Sequence, residues 1–485
     1  MIGHRSTDIQ DWDGRWRIPG TDNWYVGTLY FDPTGGFKLE LLDGAFEPYC
    51  KEVLGPENEI SSSTIVTGIT GNLESDLTIW GEAKGKKITL FGFYCEHKAT
   101  NFGGSIGYTY STYVGDRGLV GAHVESETEP IVEGAFWSVD YLHYLLDGPD
   151  DLAVEIKTDE LNNSSMWTLT IEVDPNKTLR GSYELGDGTS VSISHDKVLP
   201  SLSWSAYSFS SYGEEVLLLK HEMKQLKTIE DSAEMGLMLS KMVSLIIGQE
   251  CGVNGLALKL NIGGYSVDCD FLTTRPAPPA DRQATRKPLG ESFRFHGAEF
   301  FPVWSRWLEF VEDKHRLVGL LAELSFNKKL PLEAHVFLAA TLAEAFHKAV
   351  FGTGADSCLS NSVELFNELF PSAKVDVSDQ AKPFFKLRAL DLFMRLPGPI
   401  RTKLMSEPVT WVNYLAKMRN TIVHEALLDD SEFEVALAVS SMTMAIVHLL
   451  LWSELGVEVG KLQSALERGR TFRDLLWRSR NLCDK

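Results

Sequence analysis

Over roughly the first 225 residues, apolar and polar positions alternate in short runs separated by Gly- and Asp-rich turns. "WYVGTLYF" (24–31), "DPTGG" (32–36) and "FKLELL" (37–42) predict strand, Pro/Gly turn and strand. Further strands are predicted at "STIVTGIT" (63–70), "KKITLFGFY" (86–94), "SMWTLTIEV" (165–173) and "TSVSIS" (189–194). Many short strands at this spacing predict a β-sandwich-like or related all-β domain. The period then changes. Over 227–249, Met235, Met238, Leu239, Met242 and Ile246 share one helical stripe, which predicts a helix packed on the sheet. "GLALKL" (255–260) resumes strand character.

Residues 273–292, "TTRPAPPADRQATRKPLGES", are rich in Pro and charge and nearly free of large apolar side chains, as in an extended linker. Beyond it the pattern is helical. Amphipathic helices are predicted over 303–326, 331–351, 379–397 (ending at a Pro-Gly-Pro stop), 407–427 and 431–455, with a short last helix within 459–476. The expected organisation is a β-rich domain over 1–272, a linker over 273–292 and an all-α bundle over 293–485.

Composition narrows the class. The 44% hydrophobic and 23% charged content is that of a folded globular chain. No stretch reads as the roughly 18–20 uncharged apolar residues of a membrane span, and the polar start "MIGHRSTDIQDWDG" does not read as a signal peptide. The six cysteines lie far apart without a C-x-x-C pair, which argues against zinc and disulfides and fits a reducing cytoplasm. The net charge of −21 is uneven: residues 301–485 hold 22 Lys+Arg against 23 Asp+Glu, leaving 24 against 44 in residues 1–300. An acidic chain repels phosphate at long range, so any RNA chemistry needs a local basic surface, and the near-neutral C-terminal part is where one fits.

"AKMRNTIVHEAL" (416–427) carries the chemistry of most interest. Trp411, Leu415, Met418 and Ile422 form the buried stripe of this helix, while Asn420 and His424 share another face. Arg419 lies about 140° from His424 on an ideal helix, so one copy does not close both groups around one phosphate, whereas two copies across a two-fold axis do. An arginine fork matches a phosphate and its developing charge. Histidine exchanges protons near neutrality. RNA brings its own nucleophile, the 2′-OH, so this pair suffices for cleavage to a 2′,3′-cyclic phosphate without a metal or cofactor. From the residues alone, a solvated helix face and half of an RNA-cutting site both remain open.

"RNTIVH" (419–424) resembles the R-N-x-x-x-H form of the R-x4–6-H motif of HEPN domains, and "AATLAEAFHKAV" (339–350) resembles their early helix. "GRWRIPGTDNWYVGTLYFDPTGGFKLELLDGAF" (14–46) resembles the opening of the β-rich domain of ApeA-type anti-phage abortive-infection proteins, which join that domain to a C-terminal HEPN nuclease. The resemblance implies Arg419 as phosphate clamp, His424 as acid–base residue, Asn420 as polar helper and Glu344 as a possible cleft residue. It further implies an RNA substrate such as tRNA and a homodimer or higher oligomer, with an N-terminal domain that senses a phage-derived trigger or restrains the nuclease. Because an always-active RNase is toxic to its host, the resting enzyme is expected to be held back.

Other features weigh less. Arg468, Arg470, Arg473, Arg478 and Arg480, interleaved with Phe472 and Trp477, suit either RNA binding or contact with acidic surface. His347 and His448 lie among apolar neighbours and read as packing or hydrogen-bonded residues. "FGTGADS" (351–357) lacks a P-loop Lys-Ser/Thr and reads as a helix-ending turn. Trp12, Trp16, Trp24, Tyr25 and Trp80 read as core, with a sugar-binding face as the alternative. The competing functions are a non-catalytic HEPN scaffold and a carbohydrate-binding β-sandwich protein.

Overall fold

The computed structural model describes residues 9–46, 65–68, 76–101, 108–146, 152–161, 164–173, 182–197, 201–205, 208–212, 215–274, 293–295, 297–327, 329–354, 357–371, 384–425, 428 and 430–468. Two compact units emerge. The first draws on Met1–His143, Pro149–Ser240 and Cys251–Arg282, the second on Tyr144–Gly148, Lys241–Glu250 and Gln283–Lys485. Most of the sequence-predicted linker, 275–292, lies outside the described residues.

The first unit is β-rich. In chain order its strands are β1 (Gln10–Arg17), β2 (Tyr25–Asp32), β3 (Gly36–Leu41), β4 (Ile65–Gly68), β5 (Leu77–Ala83), β6 (Lys86–Asn101), β7 (Tyr108–Gly115), β8 (Arg117–Val120) and β9 (Val132–Val139). After the short α1 (Leu142–Leu145) come β10 (Leu152–Leu161), β11 (Ser164–Val173), β12 (Ser182–Glu184), β13 (Ser190–Lys197), β14 (Ser201–Ser205), β15 (Ser208–Tyr212) and β16 (Glu215–Lys227). Helix α2 (Ile229–Ile247), β17 (Val253–Ile262) and β18 (Tyr265–Thr273) complete the series.

The expected sandwich is instead a closed barrel continued by a sheet. The order β6-β5-β1-β2-β3-β7 returns to β6, because β6 pairs with both β5 and β7. From β6 the sheet runs on through β8, β18, β17, β9, β16, β13 and β12. The sixteen-residue β6 makes both possible. On one edge Lys86–Phe93 pairs with β5; on the other, Ile88–Phe91 pairs with β8 and Tyr94–Asn101 with β7. Gly92, with φ of +69°, sits at the fork, where the strand leaves one partner for the next. A Cβ there would lie 3.1 Å from Arg117 Nη2 and 3.3 Å from Asp76 Oδ1. Gly92→Ala is expected to cost about 1–2 kcal/mol, the usual penalty for a left-handed side-chain-bearing residue. An unshifted urea midpoint would refute this account of the fork.

Alternation fills the barrel. Trp12, Trp16, Leu29, Phe31, Phe37, Leu39, Ile79, Leu90, Phe93 and Tyr113 are all buried in one cluster. The "DPTGG" hairpin forms as expected: Asp32 Oδ1 accepts from the Thr34 and Gly35 N–H groups, and Gly36 takes φ of +84°. The Thr34 hydroxyl, which also donates to Oδ1, and then those N–H groups hold the Asp32 carboxyl below its ordinary pKa. On the sheet continuation, Trp137 Nε1 donates to the Ser232 carbonyl of α2 at 2.9 Å.

The second unit carries α3 (Phe300–Phe326), α4 (Leu332–Phe351), α5 (Ser360–Leu369), α6 (Phe385–Arg395), α7 (Gly398–Leu404), α8 (Pro408–Glu425), α9 (Phe433–Glu454) and α10 (Val459–Arg468). The Pro-Gly-Pro stretch both stops α6 and starts α7: Pro397 is the N-cap and Pro399 stands in the first turn, where a missing N–H costs nothing. Helix α9 corrects the expectation about apolar stretches. It is long and apolar enough to cross a membrane by length and composition, with 78% of that window buried inside the protein. It packs against α4, α6, α8 and α10, which makes it the core helix of this unit.

Candidate functional site

Helix α8 presents the "RNTIVH" residues on diverging faces. Trp411, Val412, Leu415, Ala416 and Met418 are buried, and Trp411 Nε1 donates to Thr443 Oγ1 of α9 at 3.1 Å. Ile422, expected in the buried stripe, is half-buried where the helix runs out towards its end. Asn420 and His424 are exposed. Arg419 is half-buried and turns towards α4 and α6.

The surroundings of Arg419 are specific. Its Nη2 donates to Glu344 Oε2 at 3.2 Å, and its guanidinium lies 4.7 Å from the ring centroid of Phe385. Glu344 is shared by three cations: Lys348 Nζ stands 2.7 Å and Arg388 Nη1 3.1 Å from Oε1, with Arg419 on Oε2. Partial burial pushes the Glu344 pKa up. The Lys348 hydrogen bond and the charges of Lys348, Arg419 and Arg388 outweigh it, and the net shift is downward. One carboxylate among three cations leaves the spot net positive, a local basic feature within the near-neutral C-terminal part of the chain. Glu344, inferred from resemblance as a cleft residue, does meet Arg419.

One turn along the same helices lies a second buried network. His347 Nε2 is 2.9 Å from Asp391 Oδ2, which also accepts from Arg395 Nε at 2.7 Å; Asp391 Oδ1 accepts from the Leu359 N–H at 2.8 Å. Burial raises the Asp391 pKa, and hydrogen bonds from His347, Arg395, Ser362 and the Leu359 N–H lower it further than that, so it sits below the ordinary value. Cys358 completes a set whose donor atoms lie within 4.8 Å of one another, a possible reach for one metal ion. The chemistry favours hydrogen bonding: Arg395 already places a positive charge on Oδ2, and burial pushes the Cys358 thiol up to about 11, so it stays protonated. His448 is hydrogen-bonded to Ser325 at 3.0 Å.

Arg388, Asp391 and Arg395 were missed from the sequence. Their signal was a set of charges at i, i+3 and i+7 inside the apolar run "FKLRALDLFMR", and both Arg388 and Asp391 are buried. Of the C-terminal arginines, Arg468 ends α10, while Arg470, Arg473, Arg478 and Arg480 lie outside the described residues. In the first unit Trp12 and Trp16 are core. Trp24 and Trp80 face outward but are covered: guanidiniums of Arg15 and Arg17 lie over Trp24, and Trp80 carries Arg17 and a stacked His123. Covered rings make a poor sugar platform.

A β-rich unit with a closed barrel, followed in sequence by a helical unit with a cation-rich polar cluster, defines the class of protein. The family model "ApeA N-terminal domain 1" matches residues 11–307, more than half of the chain, and the chain belongs to that family of ApeA-type anti-phage defence proteins. No curated protein and no solved structure matches it.

Proposed function

We propose that the helical unit is a HEPN-type endoribonuclease, the effector of an abortive-infection response in the bacterial cytoplasm. The observation that carries this reading is the bracing of Arg419: a half-exposed guanidinium held by Glu344 and the Phe385 ring, on the helix that also exposes Asn420 and His424. A braced arginine loses less freedom on gripping a phosphate than a free one does.

In this reading Arg419 binds the scissile phosphate and stabilises the charge that develops on it. His424 takes the proton of the ribose 2′-OH; the 2′ oxygen attacks phosphorus, and the bond to the 5′ oxygen breaks. That oxygen leaves with a proton from a second histidine, supplied by a second copy of the chain, because Arg419 and His424 diverge by about 140° along one helix. Asn420 orients His424 or a phosphate oxygen. The acidic N-terminal part restrains the enzyme until a phage-derived cue appears, and structured RNA such as tRNA is the substrate class.

Incubating the full-length protein with total cellular RNA in EDTA, with and without phage lysate, tests this. Discrete fragments ending in 2′,3′-cyclic phosphates are expected. Intact RNA under both conditions would refute the nuclease and leave the helical unit as a dimerising scaffold.

A further inference from the structure

We infer that Arg388, a residue outside the "RNTIVH" motif, is a positioning residue that sets the orientation of the Arg419 guanidinium through Glu344. The inference rests on the nuclease reading for its kinetic consequence, while its geometry stands apart from it.

The Arg388 side chain is only 3% exposed, so it is not placed to touch a substrate. Both of its terminal nitrogens are committed. Nη1 donates to Glu344 Oε1 at 3.1 Å, and Nη2 donates to the Thr353 carbonyl, also at 3.1 Å, in the turn that follows α4. The guanidinium is therefore strung between the end of α4 and a carboxylate two turns earlier on it. That fixes Oε1 and leaves Oε2 facing α8, where Arg419 meets it. Lys348 also reaches Oε1, but its ammonium stem is 42% exposed and flexible, so it holds the carboxylate less firmly. Phe385, the ring under Arg419, lies three residues before Arg388 on α6. One helix thus supplies the aromatic support directly and the ionic support through Glu344.

The cost of this arrangement argues that Arg388 does more than fill space. Its Nε–H is buried without a hydrogen-bond partner. A methionine or leucine occupies similar volume with no cation to desolvate, and replacing a whole buried ion pair by apolar residues is often neutral or stabilising, whereas removing one partner alone is costly. What an apolar residue cannot do is hold a carboxylate oxygen in one place.

The test is a double-mutant cycle in the full-length protein with Arg388→Met, Glu344→Gln and both together, plus Arg388→Lys and His424→Ala. Two quantities are read: kcat and KM for RNA cleavage, and the rate at which phenylglyoxal modifies Arg419, followed by mass spectrometry. Arg388→Met and Glu344→Gln are each expected to lower kcat by about tenfold to a hundredfold, with KM changed less than about threefold. The double variant should be no slower than the worse single one, and Arg388→Lys, which keeps the charge and one donor, should recover most of the rate. Arg419 should be modified several-fold faster in both single variants. Losses that multiply in the double variant, or an unchanged rate of Arg419 modification, would overturn the inference. If Arg388→Met does not fold, Arg388→Gln, which drops the charge but keeps a donor in the buried site, takes its place in the same cycle. Intact RNA with the wild type would instead refute the nuclease reading, and the modification rates would then decide the positioning role alone; cleavage by His424→Ala equal to wild type would remove only His424 from the chemistry.

Discussion

His424→Ala is expected to slow RNA cleavage by about 10²–10⁴-fold, the usual worth of a positioned acid–base group, while leaving the melting temperature unchanged. The second half of that expectation follows from exposure: His424 stands on the outer face of α8, away from Trp411, Leu415 and Met418, and surface substitutions away from such packing change stability little. A paired measurement of cleavage rate and thermal unfolding therefore separates chemistry from folding. Arg419→Ala is a less clean probe, because it also strips Glu344 of one of its cations and bares the Phe385 ring. Arg419→Lys keeps the charge but loses the fork, and should fall between alanine and wild type. A His424→Ala protein that cuts RNA at the wild-type rate would remove His424 from the chemistry and place the proton transfers on other groups.

The largest expected loss of stability comes from Asp391→Ala. Asp391 is fully buried and satisfies His347, Arg395 and the Leu359 N–H at once. Removing it leaves a buried imidazole without its acceptor and a largely buried guanidinium with only the Ser357 carbonyl, which typically costs about 3–5 kcal/mol. Urea unfolding followed by far-UV circular dichroism reads this directly. Because the folded carboxyl has a lowered pKa, its contribution is fully present above the ordinary carboxylate range near pH ~4 and is lost as pH falls through the folded value. The gap between wild type and variant should therefore narrow in acid. A gap that is constant, or that widens as pH falls, would show that Asp391 acts as filler rather than as the charged hub of the network.

Much of the fold was legible in the chain, and the misses have causes. The 407–427 prediction landed on α8 because its apolar positions recur at helical spacing, and three of its four stripe residues are fully buried. The 86–94 strand was recognised but cut short: "CEHKATN" is polar, and its pairing with β7 and β4 makes it strand. Helix α5 was overlooked since "SNSVELFNEL" offers few apolar positions, of which Val363 and Phe366 are the buried ones. Helix α7 was hidden by the same Pro-Gly-Pro signal that correctly ended α6. Arginine, asparagine and histidine were found on α8 by their residue types, while the residues that brace Arg419 were found only in part.

By itself the sequence determined the strand alternation of runs such as 37–42, the helix over 407–427 with Trp411, Leu415 and Met418 on its inward face, that strands come first and helices after, and that His424 and Arg419 diverge. These follow from periods of 2 and 3.6 residues, which are local properties of the backbone. The tertiary structure alone decided that the strands close into a barrel, since alternation assigns a face but not a partner, and β6 takes three major partners along its length. It alone decided, too, that Arg419 and Arg388 share the carboxylate of Glu344. Those contacts join residues 75 and 44 positions apart, a separation across which no local period carries information.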